Sequence, residues 1–181
     1  MGKKMTPMGK RIEIAFLYLD RSVCMRCRQT ESLLDEAVAE IREELERAGV
    51  SVRVRKIHVQ SEAQAVRLGF SSSPMIRVNG RDIQPDVKES RCESCGDLCG
   101  ENDIACRVWT YRDKEYTAPP KEMIIEAILR AVDGRTERTM AVPPSSANVP
   151  ENLKRFFSKR AMKGADRQAG GRGFKRCCSG I

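Results

Sequence analysis

The stretch FLYLDRSVCMRC, from Phe16 to Cys27, joins an apolar run to two cysteines that are separated by two residues. The run from Ile12 to Leu19 is rich in β-branched and aromatic residues and in Leu, which predicts a buried strand. From Gln29 to Ala48, apolar residues recur every three or four positions, and Gly49 follows, so a helix with one apolar face is expected. The sequence therefore predicts a Cys-x-x-Cys motif at the first turn of a helix that follows a buried strand.

The segments after this helix predict a mixed sheet. Alternating valines from Val50 onward predict a second strand, and the capping-box sequence SEAQ predicts a short helix over Glu62–Leu68. An Asn-Gly turn between Met75–Val78 and Arg81–Ile83 predicts a hairpin. Because a strand–helix–strand unit pairs its strands in parallel and a hairpin pairs them antiparallel, we expect a mixed sheet with helices on its faces.

The later part of the chain predicts fewer elements. Val108–Tyr111 and Tyr116 have strand character, and Pro119-Pro120 begins a helix that ends before Gly134. Further on, the apolar residues Leu153, Phe156 and Phe157 are spaced to dock one helical turn onto the body. The organisation that we expect is a basic N-terminal extension (1–11), an α/β domain (12–134) with a cysteine-rich insertion (84–107), and a linker with a basic, mostly flexible tail (135–181).

The formal net charge of +8 is concentrated at the two ends of the chain. Residues 151–181 contain nine Lys and Arg against two acidic residues. Such ends usually remain solvated, so nucleic-acid binding is not expected. No apolar run is long enough for a transmembrane segment or a secretory signal, which predicts a cytoplasmic protein. Eight cysteines in a reducing compartment indicate metal binding or catalysis rather than a permanent disulfide framework.

The motifs IEIAFLYLD, CMRC, KIHVQSEAQAVRLGFSSSP and SPMIRVNG resemble those of thioredoxin-fold proteins, the last being closest to glutaredoxins. The resemblance covers Ile12 to Val132 apart from the cysteine-rich insertion. With CRVWTYRDKEYTAPPK, the whole chain resembles an uncharacterised prokaryotic thioredoxin-like family that combines a CxxC motif with a four-cysteine insertion. This resemblance implies a thioredoxin-like three-layer α/β/α sandwich with a mixed sheet.

The resemblance also implies roles for individual residues. Cys24 would be the exposed nucleophile, Cys27 the resolving thiol, and Ser73-Pro74 a cis peptide beside them, while Arg26 and Ser73 would position the substrate. The position of Cys24 at a helix N-terminus independently favours its thiolate. The chain departs from thioredoxins at Tyr18, where they carry a buried Asp, and in the bulky, cationic Met25-Arg26 dipeptide.

Six more cysteines form two further groups. Four of them lie in a segment with few apolar residues: Cys92, Cys95, Cys99 and Cys106. These four thiolates suit a Zn²⁺ ion, whereas an iron–sulfur cluster fits less well because no ferredoxin spacing is present, and paired disulfides remain an alternative. The cluster either closes the insertion or lies over Cys24 and Cys27 to exchange metal or electrons. Cys177 and Cys178 are either a chelating pair for soft ions such as Hg(II) or As(III), or unremarkable cysteines on a tail.

Three functions follow from these cysteines. The first is a thiol–disulfide oxidoreductase that needs no cofactor, in which Cys24 attacks a disulfide-bearing or thiol substrate protein, Cys27 resolves, and an external reductant resets the pair. The second is a soft-metal or metalloid (Zn, Hg, As) binding and transfer protein that uses all three cysteine groups. The third is a non-catalytic thioredoxin-fold module with a structural zinc. The single histidine, His58, is expected to pack in its strand or lie at the sheet edge.

Overall fold

The computed structural model describes residues 9–92, 104–134 and 149–169, with only the backbone described in 161–169. The described residues contain one four-stranded mixed sheet, in the order β2-β1-β3-β4. Its strands are β1 (Lys10–Tyr18), β2 (Val50–His58), β3 (Met75–Val78) and β4 (Arg81–Asp82). Strand β1 pairs in parallel with β2 and antiparallel with β3, so the predicted mixed sheet is confirmed.

Four helices complete an α/β sandwich in the described part of the chain: α1 (Met25–Arg47), α2 (Glu62–Leu68), α3 (Lys121–Val132) and α4 (Glu151–Ala169). Helices α1 and α3 pack against each other, and α2 contacts α4. The apolar face of α1 is buried, as its spacing predicts. None of these helices is long and apolar enough to cross a membrane.

Local sequence signals define the ends of several elements as predicted. The Ser61 hydroxyl accepts a hydrogen bond from the Gln64 amide at the start of α2, and Gly69 ends that helix in the left-handed conformation. Asn79 and Gly80 both have positive φ, 52° and 85°, as a tight β-hairpin turn requires. The Asn79-Gly80 turn places β4 beside β3, which itself pairs with β1.

A second, antiparallel sheet contains β5 (Lys88–Arg91), β6 (Ala105–Tyr111) and β7 (Lys114–Tyr116), in that order. Strand β6 begins three residues before the predicted strand, inside the segment that the sequence assigns to the cysteine-rich insertion. All four residues of β5 are exposed, whereas Cys106 to Trp109 of β6 are buried. The second sheet therefore relies on packing against the main domain rather than on a core of its own.

Helix α4 is longer than the single docked turn that the sequence predicts. Its 19 residues begin at Glu151, within the segment that we expected to be mostly flexible. Leu153, Phe156 and Phe157 are buried, as predicted, and join the core of the main domain. A helix with three anchored apolar side chains continues past its anchors because each further residue adds a backbone hydrogen bond at little cost. Cys177 and Cys178 lie outside the described residues.

Candidate thiol site

Cys24 lies at the N-terminal end of α1, as predicted. It is the N-cap residue, and its sulfur accepts a hydrogen bond from the backbone amide of Cys27 at 3.4 Å. The turn before it is ordered by Asp20, whose carboxylate accepts hydrogen bonds from the Ser22 amide (2.8 Å) and hydroxyl (2.5 Å). Burial alone would raise the pKa of Asp20, but these bonds and the nearby Arg160 guanidinium outweigh it and lower that pKa.

The Ser73-Pro74 peptide is cis and lies beside the thiols, as predicted. The Ser73 hydroxyl is 3.5 Å from the Cys27 sulfur and accepts a hydrogen bond from the Leu19 amide. Ser73 is buried, with 1% of its surface exposed. Its side chain therefore orders the Cys27 thiol instead of facing solvent.

Cys24 meets two cysteines from the second sheet. The sulfur atoms of Cys24, Cys92 and Cys106 all lie within 4.8 Å of one another, and we call these residues the thiol trio. Cys92 directly follows β5, and Cys106 is the second residue of β6. No disulfide joins the four described cysteines. The structure thus brings together two of the three predicted cysteine groups.

Two members of the expected four-cysteine set, Cys92 and Cys106, lie in the described part of the chain. Cys92 and Cys106 approach each other, but the third sulfur beside them comes from Cys24 of the CxxC motif. Cys95 and Cys99 lie outside the described residues. Sequence spacing could suggest a metal site, but it could not show that Cys24 is shared between the two motifs.

The expectation that Cys24 is an exposed nucleophile is wrong for this structure, since none of its surface is exposed. Strands β5 and β6, which we call the β5–β6 pair, cover it. The Arg107 amide of β6 donates a hydrogen bond of 2.7 Å to the Ser73 carbonyl, next to the cis peptide. The sequence placed Cys24 correctly at a helix end but contained no local signal for the strand that lies over it.

Arg26, which the sequence predicts to position a substrate, contacts the β5–β6 pair in this structure. Its guanidinium donates hydrogen bonds to four backbone carbonyls, which belong to Ser90, Arg91, Cys106 and Arg107. The shortest, to Arg91, is 2.8 Å. One side chain from the CxxC motif therefore joins both covering strands.

Two further polar contacts hold β6 in place, and sequence reading did not identify them. The fully buried Arg107 forms a bidentate pair with Asp82 of β4, at 2.8 and 2.7 Å. The Asn152 side chain of α4 accepts from the Ala105 amide and donates to the Ala105 carbonyl. A charged residue inside the apolar run CRVW was the available signal for Arg107, because a buried charge requires a partner.

The Cys27 thiol of the CxxC motif is held in its protonated form. A hydrogen bond to Cys24 and burial both raise the pKa of Cys27 well above its usual range, against the smaller opposing effect of the Ser73 hydroxyl. Cys27 therefore stays protonated and donates its proton toward Cys24. The protonated Cys27 thiol therefore acts as a donor to the Cys24 sulfur at the N-terminus of α1.

A polar cleft of about 510 Å³ lies on the other side of the CxxC turn. Tyr18 and His58 stack in it with parallel rings, and the Arg21 guanidinium lies 4.8 Å from the Tyr18 ring centre. Arg21 is itself paired with Glu31. His58 therefore packs in its strand, as expected, and Tyr18 supports the turn before Cys24 without supplying a carboxylate.

A family model described as "Domain of unknown function (DUF2703)" matches residues 12–128, which is more than half of the chain. No curated protein and no solved structure gives a significant match. The matched region includes the CxxC motif, the cis peptide and both described cysteines of the second sheet. The chain therefore belongs to this family, the Domain of unknown function (DUF2703) family.

Proposed function

We propose that this protein binds a soft metal ion or metalloid, such as Zn(II), Hg(II) or As(III), as cargo through the thiol trio. The observation that carries this proposal is the convergence of three buried sulfurs, from three different segments, within 4.8 Å of one another. Thiolates select soft ions over Mg²⁺ or Ca²⁺. Ordering three cysteines in one buried place is costly unless something binds them together.

The spacing of the sulfurs suits such an ion. With metal–sulfur bonds of about 2.3 Å, the sulfurs lie about 3.8 Å apart in a tetrahedral site and about 4.0 Å apart in a trigonal one. Both separations are within the observed limit of 4.8 Å. The observed spacing is therefore compatible with three sulfurs around one ion.

The charge balance also favours this class of cargo. Three thiolates with a divalent ion have a net charge of −1, which the N-terminus of α1 stabilises. As(III) supplied as arsenous acid forms three As–S bonds, releases three waters and leaves a neutral site, with no electron transferred. Protonated Cys27 lies next to Cys24 and keeps its hydrogen bond to that sulfur. Reduced thiols of this kind fit a reducing compartment such as the cytoplasm.

The test is anaerobic titration of the reduced, metal-free protein with Zn(II), Hg(II) or arsenous acid, followed by thiolate absorption and bound-ion stoichiometry. Variants Cys24→Ser, Cys92→Ser and Cys106→Ser should each lose the tight site. The matched control Cys177→Ser/Cys178→Ser removes two thiols outside the trio and should keep it. Unchanged affinity in all three trio variants would exclude the proposal. Loss of folding after chelation would instead favour a structural zinc.

A second candidate is thiol–disulfide exchange, supported by Cys24 as N-cap, the retained proton of Cys27 and the cis Ser73-Pro74 peptide. The order of strand, CxxC, helix, strand, helix and cis-proline strand also supports a thioredoxin-like fold. Cys24 would attack a substrate disulfide and release one substrate thiolate. Cys27 would then displace the other, leaving a Cys24–Cys27 disulfide for an external reductant.

This candidate requires the β5–β6 pair to move, because Cys24 is fully buried. An insulin-reduction assay of the reduced protein tests it, with Cys24→Ser and Cys27→Ser as paired variants. Both should abolish turnover, whereas Cys106→Ser should not. Turnover that survives in both CxxC variants would remove this candidate.

A further inference from the structure

We propose that Arg26 is a positioning residue that holds the β5–β6 pair over Cys24, so that release of its guanidinium sets the rate of access to the thiol trio. The consequence for cargo rests on the proposed function, whereas the consequence for access to Cys24 does not. Arg26 is two residues after Cys24 on the first turn of α1. Cys24 and Arg26, which holds the covering strands, are thus fixed to the same helix.

The contacts of Arg26 explain why it acts on both strands together. Its Nη1 atom reaches carbonyls of both strands, at 3.5 Å for Ser90, 3.2 Å for Cys106 and 3.4 Å for Arg107. Its Nη2 atom reaches the Arg91 carbonyl at 2.8 Å. Cys92 follows Arg91, so the guanidinium binds the backbone beside both trio cysteines of the second sheet. A planar guanidinium can satisfy several carbonyls at once, which a lysine ammonium cannot do with the same geometry.

Within the β5–β6 pair, β5 is the strand suited to opening, because Cys106 to Trp109 of β6 are buried. Strand β5 is exposed along its length and belongs to a sheet separate from the main one. Segments with few buried apolar contacts open locally at a lower free energy than the core. Beyond Arg26, Ser72 binds Glu89 of β5, and β6 is bound by the Asp82 carboxylate and the Ser73 carbonyl at Arg107, by Gln84 at Val108 and Thr110, and by Asn152 at Ala105. Of these contacts, those of Arg26 alone reach the backbone beside both trio cysteines.

Strand β6 also blocks the backbone group beside Cys24 to which an extended substrate chain could bind. Its Arg107 amide bonds to the Ser73 carbonyl, which is the backbone group next to the cis peptide and the thiols. Any incoming extended chain that approached Cys24 along this edge would need the same carbonyl. The covering strand therefore excludes a protein substrate as well as solvent until Arg26 releases it.

The first experiment measures access in the reduced, metal-free protein by alkylation of Cys24, quantified peptide by peptide with mass spectrometry. Arg26→Met removes the guanidinium but keeps an apolar stem, and Arg28→Met, at an exposed position on the same turn, is the matched control. We expect Arg26→Met to speed Cys24 alkylation by about ten- to a hundredfold, the range for losing hydrogen bonds to a charged group. Arg26→Lys should give an intermediate rate, and Arg28→Met should change it less than twofold.

Hydrogen exchange in β1 and α3 separates local opening from global destabilisation, because these amides should be unaffected by Arg26→Met. If Arg26→Met does not fold, Arg26→Gln is used in its place, since it keeps the aliphatic stem and an amide donor. An alkylation rate within twofold of the unchanged protein would overturn the proposal. So would equal acceleration in the Arg28→Met control, or a matching increase in exchange throughout β1.

The second experiment measures cargo kinetics with Hg(II) or arsenous acid. Arg26 stabilises the closed arrangement equally with and without cargo, so its loss should raise the entry and release rates by the same factor and leave the dissociation constant within about twofold. A weaker dissociation constant with an unchanged entry rate would show that Arg26 merely shapes the site, and would overturn the proposal. Absence of binding in every protein would refute the proposed function, while the alkylation result would still decide the role of Arg26.

Discussion

Replacing Asp82 with Ala should destabilise the protein strongly, because it leaves the Arg107 charge buried without its partner. The Arg107 side chain is 0% exposed and the Asp82 side chain is 15% exposed. Two short hydrogen bonds, 2.8 and 2.7 Å, join their charged groups and connect β4 of the main sheet to β6 of the second. Breaking a buried pair on one side costs about 3–5 kcal/mol. The partial exposure of Asp82 places our expectation at about 3 kcal/mol.

Urea unfolding of the reduced protein measures this loss. The matched control is Glu115→Ala, which breaks the exposed Lys88–Glu115 pair of the same small sheet, with side-chain exposures of 58% and 61%. That change should cost less than about 1 kcal/mol. The double variant Asp82→Ala/Arg107→Met removes both charges and should be more stable than Asp82→Ala alone.

The reasoning would be refuted if Asp82→Ala unfolded within about 1 kcal/mol of the unchanged protein, or if the double variant were less stable than the single one. Asp82→Asn separates charge from hydrogen bonding, because the amide oxygen can still accept one of the two bonds. Its cost should lie between those of Glu115→Ala and Asp82→Ala. An equal loss in Asp82→Asn and Asp82→Ala would assign the whole effect to charge.

Two further predictions concern stability. Because the folded-state pKa of Cys27 is raised, its contribution to the free energy of unfolding is fully present below the unfolded thiol pKa of about 8.5 and is lost above it, by up to about 1.4 kcal/mol per pH unit. In urea unfolding from pH 7 to 10, the reduced Cys27→Ala variant should lack this loss. Equal slopes of unfolding free energy against pH in the two proteins would contradict the assignment. Phe156→Ala should cost about 3–5 kcal/mol because its side chain is buried in the core, whereas Ser158→Ala at an exposed position should stay within about 0.5 kcal/mol; similar values for the two would show that α4 does not stabilise the domain.

The parts of the fold that sequence predicts well are those that short segments determine by themselves. Helix α2 has its predicted bounds because Ser61 and Gly69 act at its ends, within eight residues of each other. The Asn79-Gly80 turn has the positive φ angles that its residue types favour. Cys24 is an N-cap because an apolar strand stops just before it and an amphipathic helix begins just after it. Each of these features needs no knowledge of distant contacts.

The parts of the site that sequence does not predict depend on pairs of residues far apart in the chain. Cys24 approaches Cys106 across 82 positions, and nothing in the local pattern of either residue indicates the other. Arg107 lies within a run of four buried residues in β6, and its partner Asp82 belongs to a two-residue strand that periodicity cannot identify. The length of helix α4 was not predicted, because its composition is polar apart from the three anchoring side chains that the sequence did indicate.

The burial of Cys24 gives the two candidate functions opposite requirements at the β5–β6 pair. A bound ion needs Cys92 and Cys106 close to Cys24, so it should leave more slowly when Arg26 keeps both strands in place. A protein disulfide can reach Cys24 only after the same strands move away, because the Arg107 amide is hydrogen-bonded to the Ser73 carbonyl and no surface of Cys24 is exposed. Loosening the strands should therefore leave ion affinity unchanged while increasing disulfide turnover. If Arg26→Met increases the rate of insulin reduction, the covering strands restrain disulfide exchange at Cys24. If this variant speeds alkylation of Cys24 but insulin reduction stays negligible, ion binding remains as the function that the thiols serve.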